Sequence, residues 1–283
     1  MKKQLYDEIV EDIYKYRGLT RDCANMLIKK YPTVSSDSLH SIVSSELMYR
    51  LKKCRGLLYG ARNDYLGQYR AAQKNGQSPG IIVRIAAGVN LPPALLARRI
   101  LEQYYQNTQE PVPRSVISRF LKDTTLIEDV DLAYEINLCI LYDDRNGFIS
   151  DAFCLEIGRE YEVKLQNILQ QQKISYRTED DLRSRGYDKT PDVKLEIPIA
   201  INGFVINWIE SKARFGTPSI HKTYIKEQFF SYWNRFGPGL VIYWFGFVDD
   251  IVEQAEKKYI ILDHFPENIT YMNPMSVQNS IKT

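Results

Sequence analysis

The sequence has few of the residues that build thiol or histidine chemistry. Its four cysteines lie far apart and form no Cys-x-x-Cys pair, and only three histidines occur in 283 residues. Scattered cysteines argue against a structural zinc site and a disulfide framework, and they are typical of a reducing compartment. His221 and His264 have no second candidate ligand at metal-binding spacing. We therefore predict structural or surface roles for both histidines.

Long apolar runs are also absent. No window approaches the roughly 18 uninterrupted apolar residues of a membrane-spanning helix. The first segment, MKKQLYDEIVEDIYKY, carries acids where a signal peptide needs an apolar run. Because 44% of the residues are hydrophobic and 25% are charged, the composition is that of an ordinary globular protein. We expect a soluble intracellular protein of one or two domains, with no membrane association.

The net charge is only +2, but it is unevenly distributed. Residues 1–122 contain 20 Lys and Arg against 10 Asp and Glu, whereas residues 123–283 contain 17 against 25. A basic half joined to an acidic half is typical of an electrostatic docking module beside a unit that uses carboxylates. The alternative is ordinary variation in composition, which the charges alone do not exclude.

The N-terminal half, residues 1–122, is predicted to be helical and to contain a first helix-turn-helix-like unit. Thr20 is the predicted N-cap of one helix, which should end before Pro32. Ser35 or Ser36 can cap the next helix, whose last turns are basic. Two short helices with a tight joint and a basic tail resemble a helix-turn-helix.

A second helix-turn-helix-like unit is predicted in SPGIIVRIAAGVNLPPALLARRILEQYY. Ser78 is the predicted cap, Gly88 serves the turn, and Pro92-Pro93 starts the second helix. Arg98 and Arg99 lie on the polar side of that helix, where they would meet DNA phosphates or guanine edges. A plain helical bundle with solvated arginines explains the same pattern, and both interpretations stay open.

The C-terminal half has a different pattern. Residues 123–151 are predicted as a helical connector, and residues 152–283 as a sheet with helices on its faces. The predicted order is α-β-β-β-α-β, and Asn202-Gly203 is a strong hairpin signal between two of the strands. The fold class is therefore α/β (α+β), preceded by an all-α region.

Three polar residues interrupt strands that otherwise have the composition of a core. Side chains alternate along a strand, so Glu210 and Lys212 point to one face and Ser211 to the other. The hairpin brings Asp192 into reach of the Glu210 face. Two buried carboxylates repel each other, and a divalent cation relieves the repulsion. Aspartate, glutamate, lysine and Mg²⁺, with Mn²⁺ as a substitute, are the components of phosphodiester hydrolysis.

An acid-x-Lys triplet alone carries little information, since the chain has four. They are Glu162-Val163-Lys164, Asp192-Val193-Lys194, Glu210-Ser211-Lys212 and Glu256-Lys257-Lys258. Only the third lies in an apolar strand behind a hairpin whose partner strand opens with Pro-Asp. The competing interpretation is a structural ion pair between Lys212 and one of the two acids. Such a pair neutralises only one of the two carboxylates.

Thr190-Pro191-Asp192, the hairpin and Glu210-Ser211-Lys212 together resemble the TPD branch of the PD-(D/E)XK nuclease superfamily. Longer segments, GYDKTPD, NWIESKA and QFFSYWNRFGPGLVIYW, resemble a family of codanin-interacting nucleases, and the likeness covers nearly the whole chain. The resemblance implies a restriction-endonuclease-like α-β-β-β-α-β core behind helix-turn-helix-like segments. It also implies codanin as a partner and residence in the nucleus, with the cytoplasm as a second compartment.

The resemblance also assigns roles to residues. It implies Asp192 and Glu210 as metal ligands, the Ser211 carbonyl as a third ligand, and Lys212 as the catalytic lysine. A further glutamate is expected on the first core helix, where Glu162 is preferred and Glu160 fits almost as well.

Gln228 and Tyr232 form a Gln-x-x-x-Tyr pair, one helical turn apart. Some branches of the superfamily use this pair near the site and the substrate. We therefore predict a catalytic role for Gln228 and a nucleic-acid contact for Tyr232. The alternative for Tyr232 is a core aromatic residue.

Two functions remain in competition at this point. The first is a Mg²⁺-dependent endonuclease that acts on nucleic acid, DNA rather than RNA, and prefers particular structures. The second is a non-catalytic nucleic-acid-binding or scaffold partner of codanin that keeps the nuclease fold. Retention of all three polar residues favours the enzyme.

Overall fold

The structure is a computed structural model. It describes residues 1–53, 59–60, 63–106, 112–143, 147–253 and 258–272. The chain divides into two compact units, Glu8–Leu155 and Met1–Asp7 with Glu156–Thr283. The first is helical and includes the segment 123–151 that was predicted as a connector. The second carries the sheet, so the predicted mixed α/β class with a helical N-terminal region is confirmed.

The helical unit is built from eight described α-helices and a short 3-10 turn. They are α1 (Lys3–Lys15, in this unit from Glu8), α2 (Thr20–Lys30), α3 (Ser36–Lys53), α4 (Tyr65–Lys74), α5 (Ile81–Val89), α6 (Pro93–Gln106), α7 (Arg114–Lys122), the turn Thr124–Leu126, and α8 (Val130–Tyr142). Apolar residues of α4 to α8 form one continuous core around Leu96, Ile100 and Ile136.

The first pair of helices follows the sequence signals closely. Helix α2 ends at Lys30, before Pro32, and the Ser35 hydroxyl caps α3 by accepting from the Ser38 amide at 3.1 Å. Thr20 is not the cap of α2 but its first helical residue, and Leu19 occupies the N-cap position without a side-chain hydrogen bond.

The second pair is capped from a distance, so the predicted Ser78 cap and Gly88 turn are wrong. The buried Glu135 carboxylate of α8 accepts from the Gly80 and Ile82 amides at 2.7 and 3.0 Å. Gly88 lies inside α5, which ends at Asn90 in the left-handed region. Carboxylates stabilise helix N-termini because they satisfy free amides and oppose the helix dipole.

Helices α5 and α6 meet at 112°, an angle typical of a helix-turn-helix. However, α6 is the central helix of the core, and Gln106 is the one exposed residue among its fourteen, all of which are described. A recognition helix needs an exposed face, so this burial favours the bundle interpretation of the pair. No single described helix has the length and apolarity to span a membrane, although α5 and α6 pass that test together.

The sheet unit contains five further helices, a π-turn and six strands in its described part. They are α9 (Phe148–Gln171, in this unit from Glu156), β1 (Tyr176–Thr178), α10 (Glu179–Ser184), β2 (Val193–Ile201), β3 (Phe204–Lys212), α11 (Pro218–Tyr224), the π-turn Ile225–Phe229, α12 (Phe230–Phe236), β4 (Gly239–Tyr243), α13 (Asp250–Glu253), β5 (Tyr259–Leu262) and β6 (Thr270–Tyr271).

The strands lie in the order β1-β2-β3-β4-β5, and β6 pairs with β2. Strands β1 to β3 are antiparallel, whereas β3, β4 and β5 are parallel. The predicted hairpin is confirmed, with Asn202 and Gly203 both at positive φ (49° and 80°), as a type I′ turn requires. Val193 lies opposite Ile209. This register sets Asp192 beside Glu210.

Both faces of the sheet are covered. On one face, Ile209 joins Leu165 and Leu169 of α9 in a buried cluster. On the other face, fully buried Trp208 packs among aromatic residues of the π-turn, α12 and β5. A Cβ at Gly239 would lie 2.1 Å from the Trp208 ring, so only glycine fits at the start of β4. Trp208 is therefore a core residue that makes the strand bearing Glu210 rigid.

Candidate active site

The carboxylates of Asp192 and Glu210 lie side by side at the carboxyl end of β3. The Ser211 amide donates to Asp192 Oδ2 at 2.7 Å, and the Asp192 amide donates to Glu210 Oε2 at 3.3 Å. Each carboxylate is thus held by the backbone of the opposite strand. Glu210 is 1% exposed, and Asp192 keeps partial exposure.

Both acids are driven toward protonation by their surroundings. Burial raises the pKa of Asp192 well above its usual value, and the Glu210 charge raises it further. Burial likewise raises the pKa of Glu210, although Lys212 opposes this change. Two anions that lie beside each other and are shielded from water repel strongly, and a bound cation would remove this free-energy cost.

Lys212 supplies one positive charge to this acid pair. Its ammonium donates to Glu210 Oε1 at 2.5 Å, and its side chain is 14% exposed. Burial lowers the pKa of Lys212, but Glu210 and Asp192 outweigh that effect, so the pKa is raised. Lys212 is therefore a permanent cation here. It neutralises one carboxylate and leaves the other in excess.

Tyr224, which ends α11, contacts two cations of the site. The Lys212 ammonium lies 4.6 Å from the centre of the Tyr224 ring. The Arg214 guanidinium donates to the Tyr224 hydroxyl at 2.9 Å. No sequence signal marks this residue, because a lone tyrosine near a helix end has no distinguishing spacing. The phenol holds Lys212 and Arg214 on one side of the acid pair.

Ser211 connects the two sides of the strand. Its amide bonds Asp192, while its hydroxyl accepts from Trp244 Nε1 at 2.8 Å. The role of its carbonyl as a metal ligand stays a prediction.

The choice between Glu160 and Glu162 now has a structural basis. Glu160 is exposed, whereas Glu162 is partly buried. Burial raises the pKa of Glu162, with contributions from the nearby charges of Glu179 (raising) and Lys212 (lowering). Glu162 therefore lies within electrostatic reach of Lys212, and we keep it as the preferred helix carboxylate.

Glu179, the first residue of α10, is a neighbour that the sequence reasoning missed. Its Oε1 accepts from the Thr190 hydroxyl at 3.1 Å and from Arg183 at 2.6 Å. Thr190 is the buried first residue of the Thr-Pro-Asp motif. The acid thus anchors the motif from outside the hairpin. The sequence does contain a signal for the helix that carries Glu179, because a Thr-x-x-Asp capping box marks its start.

Gln228 and Tyr232 fall on different backbone elements. Gln228 lies in the π-turn, and its side-chain oxygen is buried without a hydrogen-bond partner among the described residues. Tyr232 is buried on α12, edge-on to Trp208 at 5.3 Å. Burial raises the pKa of Tyr232, and the charges of Glu210 and Asp192 add to the rise. Tyr232 is thus both a core aromatic residue and a neighbour of the acid pair.

Arg98 and Arg99 belong to the helical unit, where both engage other side chains. Arg98 donates to the Ser118 hydroxyl at 3.2 Å. Arg99 is 15% exposed and pairs with Glu102 at 3.5 Å. Their contact with nucleic acid stays a prediction.

His221 and His264 lie outside the site. His221 is fully buried, with its ring nitrogens 2.9 and 3.1 Å from the hydroxyls of Tyr243 and Tyr259. Burial lowers its pKa to about 4, so it is neutral in the core. His264 is exposed beside Asp263.

The donor set fits a hard divalent cation that is completed by substrate. Within the described residues, no three Asp, Glu, His or Cys side chains form a full metal cage. Mg²⁺ does not need one, since it binds through one or two carboxylates plus waters and phosphate. Asp192 and Glu210 provide that pair, and the single ammonium of Lys212 leaves a negative charge for the metal to neutralise.

The fold and the site define a mixed α/β protein in which a Thr-Pro-Asp aspartate meets a strand-borne Glu-x-Lys. Residues 128–265 match the family described as "Protein of unknown function TPD sequence-motif". This match spans both motifs.

Curated relatives cover almost the whole chain. CDAN1-interacting nuclease 1 of Xenopus laevis is 40% identical over 281 residues, or 98% of this chain and 92% of the relative. The Homo sapiens protein of that name is 38% identical over 273 residues, or 95% and 96% of the two chains. No solved structure matched. The chain belongs to the family of CDAN1-interacting nuclease 1.

Proposed function

We propose that this chain is a metal-dependent nuclease that hydrolyses phosphodiester bonds, with structured DNA as its substrate. One observation carries the proposal: two adjacent carboxylates with raised pKa values lie beside a single, permanently charged lysine. A structural ion pair accounts for one acid and not for both. The names of the relatives support a nuclease at the level of the family. The sheet of β1 to β5 with α9 and α12 on its faces is consistent with a restriction-endonuclease-like core.

Asp192, Glu210 and the Ser211 carbonyl would hold the metal, and Mg²⁺ or Mn²⁺ there would polarise the phosphate. Side chains of the protein supply the remaining charge stabilisation. Lys212, protonated throughout the neutral range, stabilises negative charge as it develops on the phosphate oxygens. Arg214, oriented by Tyr224, adds a second cation beside it. Glu210 and Asp192 raise the pKa of Lys212, which is consistent with this electrostatic role.

The names of the relatives support a partner, and the location is proposed from the family resemblance. We propose that the chain binds CDAN1 (codanin), as the relatives' names state for them, and acts in the nucleus. The basic excess of residues 1–122 supports a role for the helical unit in holding nucleic acid.

The direct test is cleavage of flaps, junctions and single strands by the purified chain. We expect cleavage with Mg²⁺ or Mn²⁺ and none with EDTA. Mg²⁺ should also raise the unfolding temperature of the wild type, because binding to the native state alone stabilises it. Glu210→Gln should remove that rise. A chain that neither cleaves nor shifts with metal contradicts the proposal and favours a scaffold.

A second prediction concerns Tyr224 as a positioning residue. Tyr224→Phe keeps the ring under Lys212 but loses the bond to Arg214, and should raise KM by about 2- to 10-fold. Tyr224→Leu also loses the cation–π contact and should lower kcat by a further factor of about 2 to 30. Steady-state kinetics separate the two effects, with unfolding temperature as the control. Equal losses in both variants would contradict the assignment of separate roles to ring and hydroxyl.

A further inference from the structure

An aromatic cluster lies at the same end of the sheet as the acid pair. It consists of Tyr161 and Lys164 on α9 and of Trp244 and Phe245 after β4, and we call it the aromatic shelf. The Tyr161 ring centre is 5.3 Å from those of Trp244 and Phe245. The Lys164 ammonium is 5.0 Å from the Tyr161 ring and 4.7 Å from that of Trp244. All three rings are partly exposed, and Lys164 is exposed.

The shelf is bonded directly to the Glu-Ser-Lys motif. Trp244 Nε1 donates to the Ser211 hydroxyl at 2.8 Å, and the Trp244 amide donates to the Lys212 carbonyl at 3.0 Å. Ser211 and Lys212 point to opposite faces of β3, so the shelf lies on one side of the strand end and the acid pair on the other. A chain of nucleotides that crosses this end of the sheet touches both.

The chemistry of the shelf suits an unpaired base. Proteins bind single strands by stacking bases on aromatic rings and by placing cations along the backbone. A base within a duplex has both faces covered by its neighbours, so it cannot stack on a protein ring without being extruded. Three clustered rings with a lysine over two of them therefore fit a single-stranded segment better than a continuous duplex.

We propose that the aromatic shelf stacks an unpaired base next to the bond that the chain cleaves. The substrate class is then nucleic acid with a single-stranded segment at the cut, such as a flap or an overhang. This inference rests on the proposed nuclease function for the location of the cut. The stacking itself is tested without cleavage.

The test compares two labelled strands of equal length, an oligo(dT) and the same strand with abasic sites, by fluorescence anisotropy. The full chain carrying Asp192→Asn serves as the non-cleaving background. We expect oligo(dT) to bind about 10- to 100-fold more tightly, since each stacked base contributes this much. Tyr161→Leu and Phe245→Leu should each remove most of the preference. Lys164→Met should weaken both strands equally and lower the salt slope by about 0.7.

Phe230→Leu is the matched control. Phe230 is an exposed ring on α12 of the same unit, with the Lys258 ammonium 5.7 Å from its centre. Its loss should leave the preference for bases unchanged. Unfolding temperatures confirm that each variant folds. The comparison with the abasic strand tests stacking without a substitution in the aromatic shelf.

Equal affinity for the two strands, binding to neither, or a preference that survives both shelf variants would overturn the inference. Wild-type cleavage is scored separately. A chain that cleaves but binds the two strands with equal affinity overturns the inference alone. A chain that prefers bases but never cleaves overturns only the proposed function.

Discussion

Lys212→Met is expected to reduce cleavage by about 10²- to 10³-fold while the chain stays folded, because it removes a preorganised charge from the developing transition state. Methionine keeps the length and apolar stem of lysine but has no ammonium to donate to Glu210. The loss should appear in kcat, since the ammonium acts mainly on charge that develops during reaction. Single-turnover cleavage at saturating enzyme measures it.

The same substitution at Lys194 provides the control. Lys194 belongs to the Asp192-Val193-Lys194 triplet on the neighbouring strand β2 and lies opposite Trp208 in the register, whereas Glu210 is paired with Lys212. Lys194→Met should leave kcat within about twofold of the wild type, because the ion pair between Lys212 and Glu210 stays intact. Mg²⁺ should still raise the unfolding temperature of Lys212→Met, since both carboxylates remain. If the two variants lose activity equally, Lys212 has no special role in the reaction.

Part of the geometry of the acid pair was within reach of the sequence because strand rules are strict. The Asn202-Gly203 turn sets the register beside the turn, and alternation places Glu210 and Lys212 on one face. That register, continued to the end of β2, would set Asp192 opposite Ala213. An irregularity in β2 between Lys194 and Ile199 shifts the pairing, so that Val193 lies opposite Ile209 and Asp192 lies beside Glu210. The parallel strand β4 was readable, because a buried strand is a continuous apolar run.

What the sequence did not reveal depends on contacts between distant elements. Glu135 caps α5 from 53 residues away, and Ser78, a good cap by local rules, is left unused. Glu179 anchors Thr190 from a separate helix, and Tyr224 contacts Lys212 from the end of α11, a helix that follows β3. Local propensity carries no information about such partners. The burial of α6 is of the same kind, since its arginines look solvated until the neighbouring helices are placed.

The acid pair also makes a prediction about stability that runs against the usual effect of substitution at a buried residue. Asp192→Asn should abolish metal-dependent cleavage and yet raise the unfolding temperature of the metal-free chain at pH 8. The asparagine oxygen can still accept from the Ser211 amide, which now donates to Asp192 at 2.7 Å. The variant leaves Glu210 and Lys212 as a neutral ion pair. Removal of the excess charge should stabilise the chain by about 1–2 kcal/mol, or about 3–6 °C.

The pH dependence of the unfolding temperature follows from the direction of the Asp192 pKa shift. The native pKa of Asp192 is raised above its unfolded value of about 3.9, so the wild type loses stability as pH rises from about 3.9 to the native pKa, and the loss is complete above the native pKa. As pH falls toward about 4, the native state takes up its proton and the advantage of Asp192→Asn should vanish. Thermal unfolding in EDTA between pH 8 and 4 measures this convergence.

Asp188→Asn is the matched control, because Asp188 carries the opposite shift. A hydrogen bond from Arg235 lowers the Asp188 pKa, so the charged form stabilises the native state and its removal should slightly lower the unfolding temperature at pH 8. Added Mg²⁺ should stabilise the wild type and Asp188→Asn but not Asp192→Asn. The order of stability of wild type and Asp192→Asn would then reverse with enough metal, because the same carboxylate that costs stability in the metal-free chain binds the ion. A wild type that is more stable than Asp192→Asn in EDTA at pH 8 would show that Asp192 is a structural acid instead.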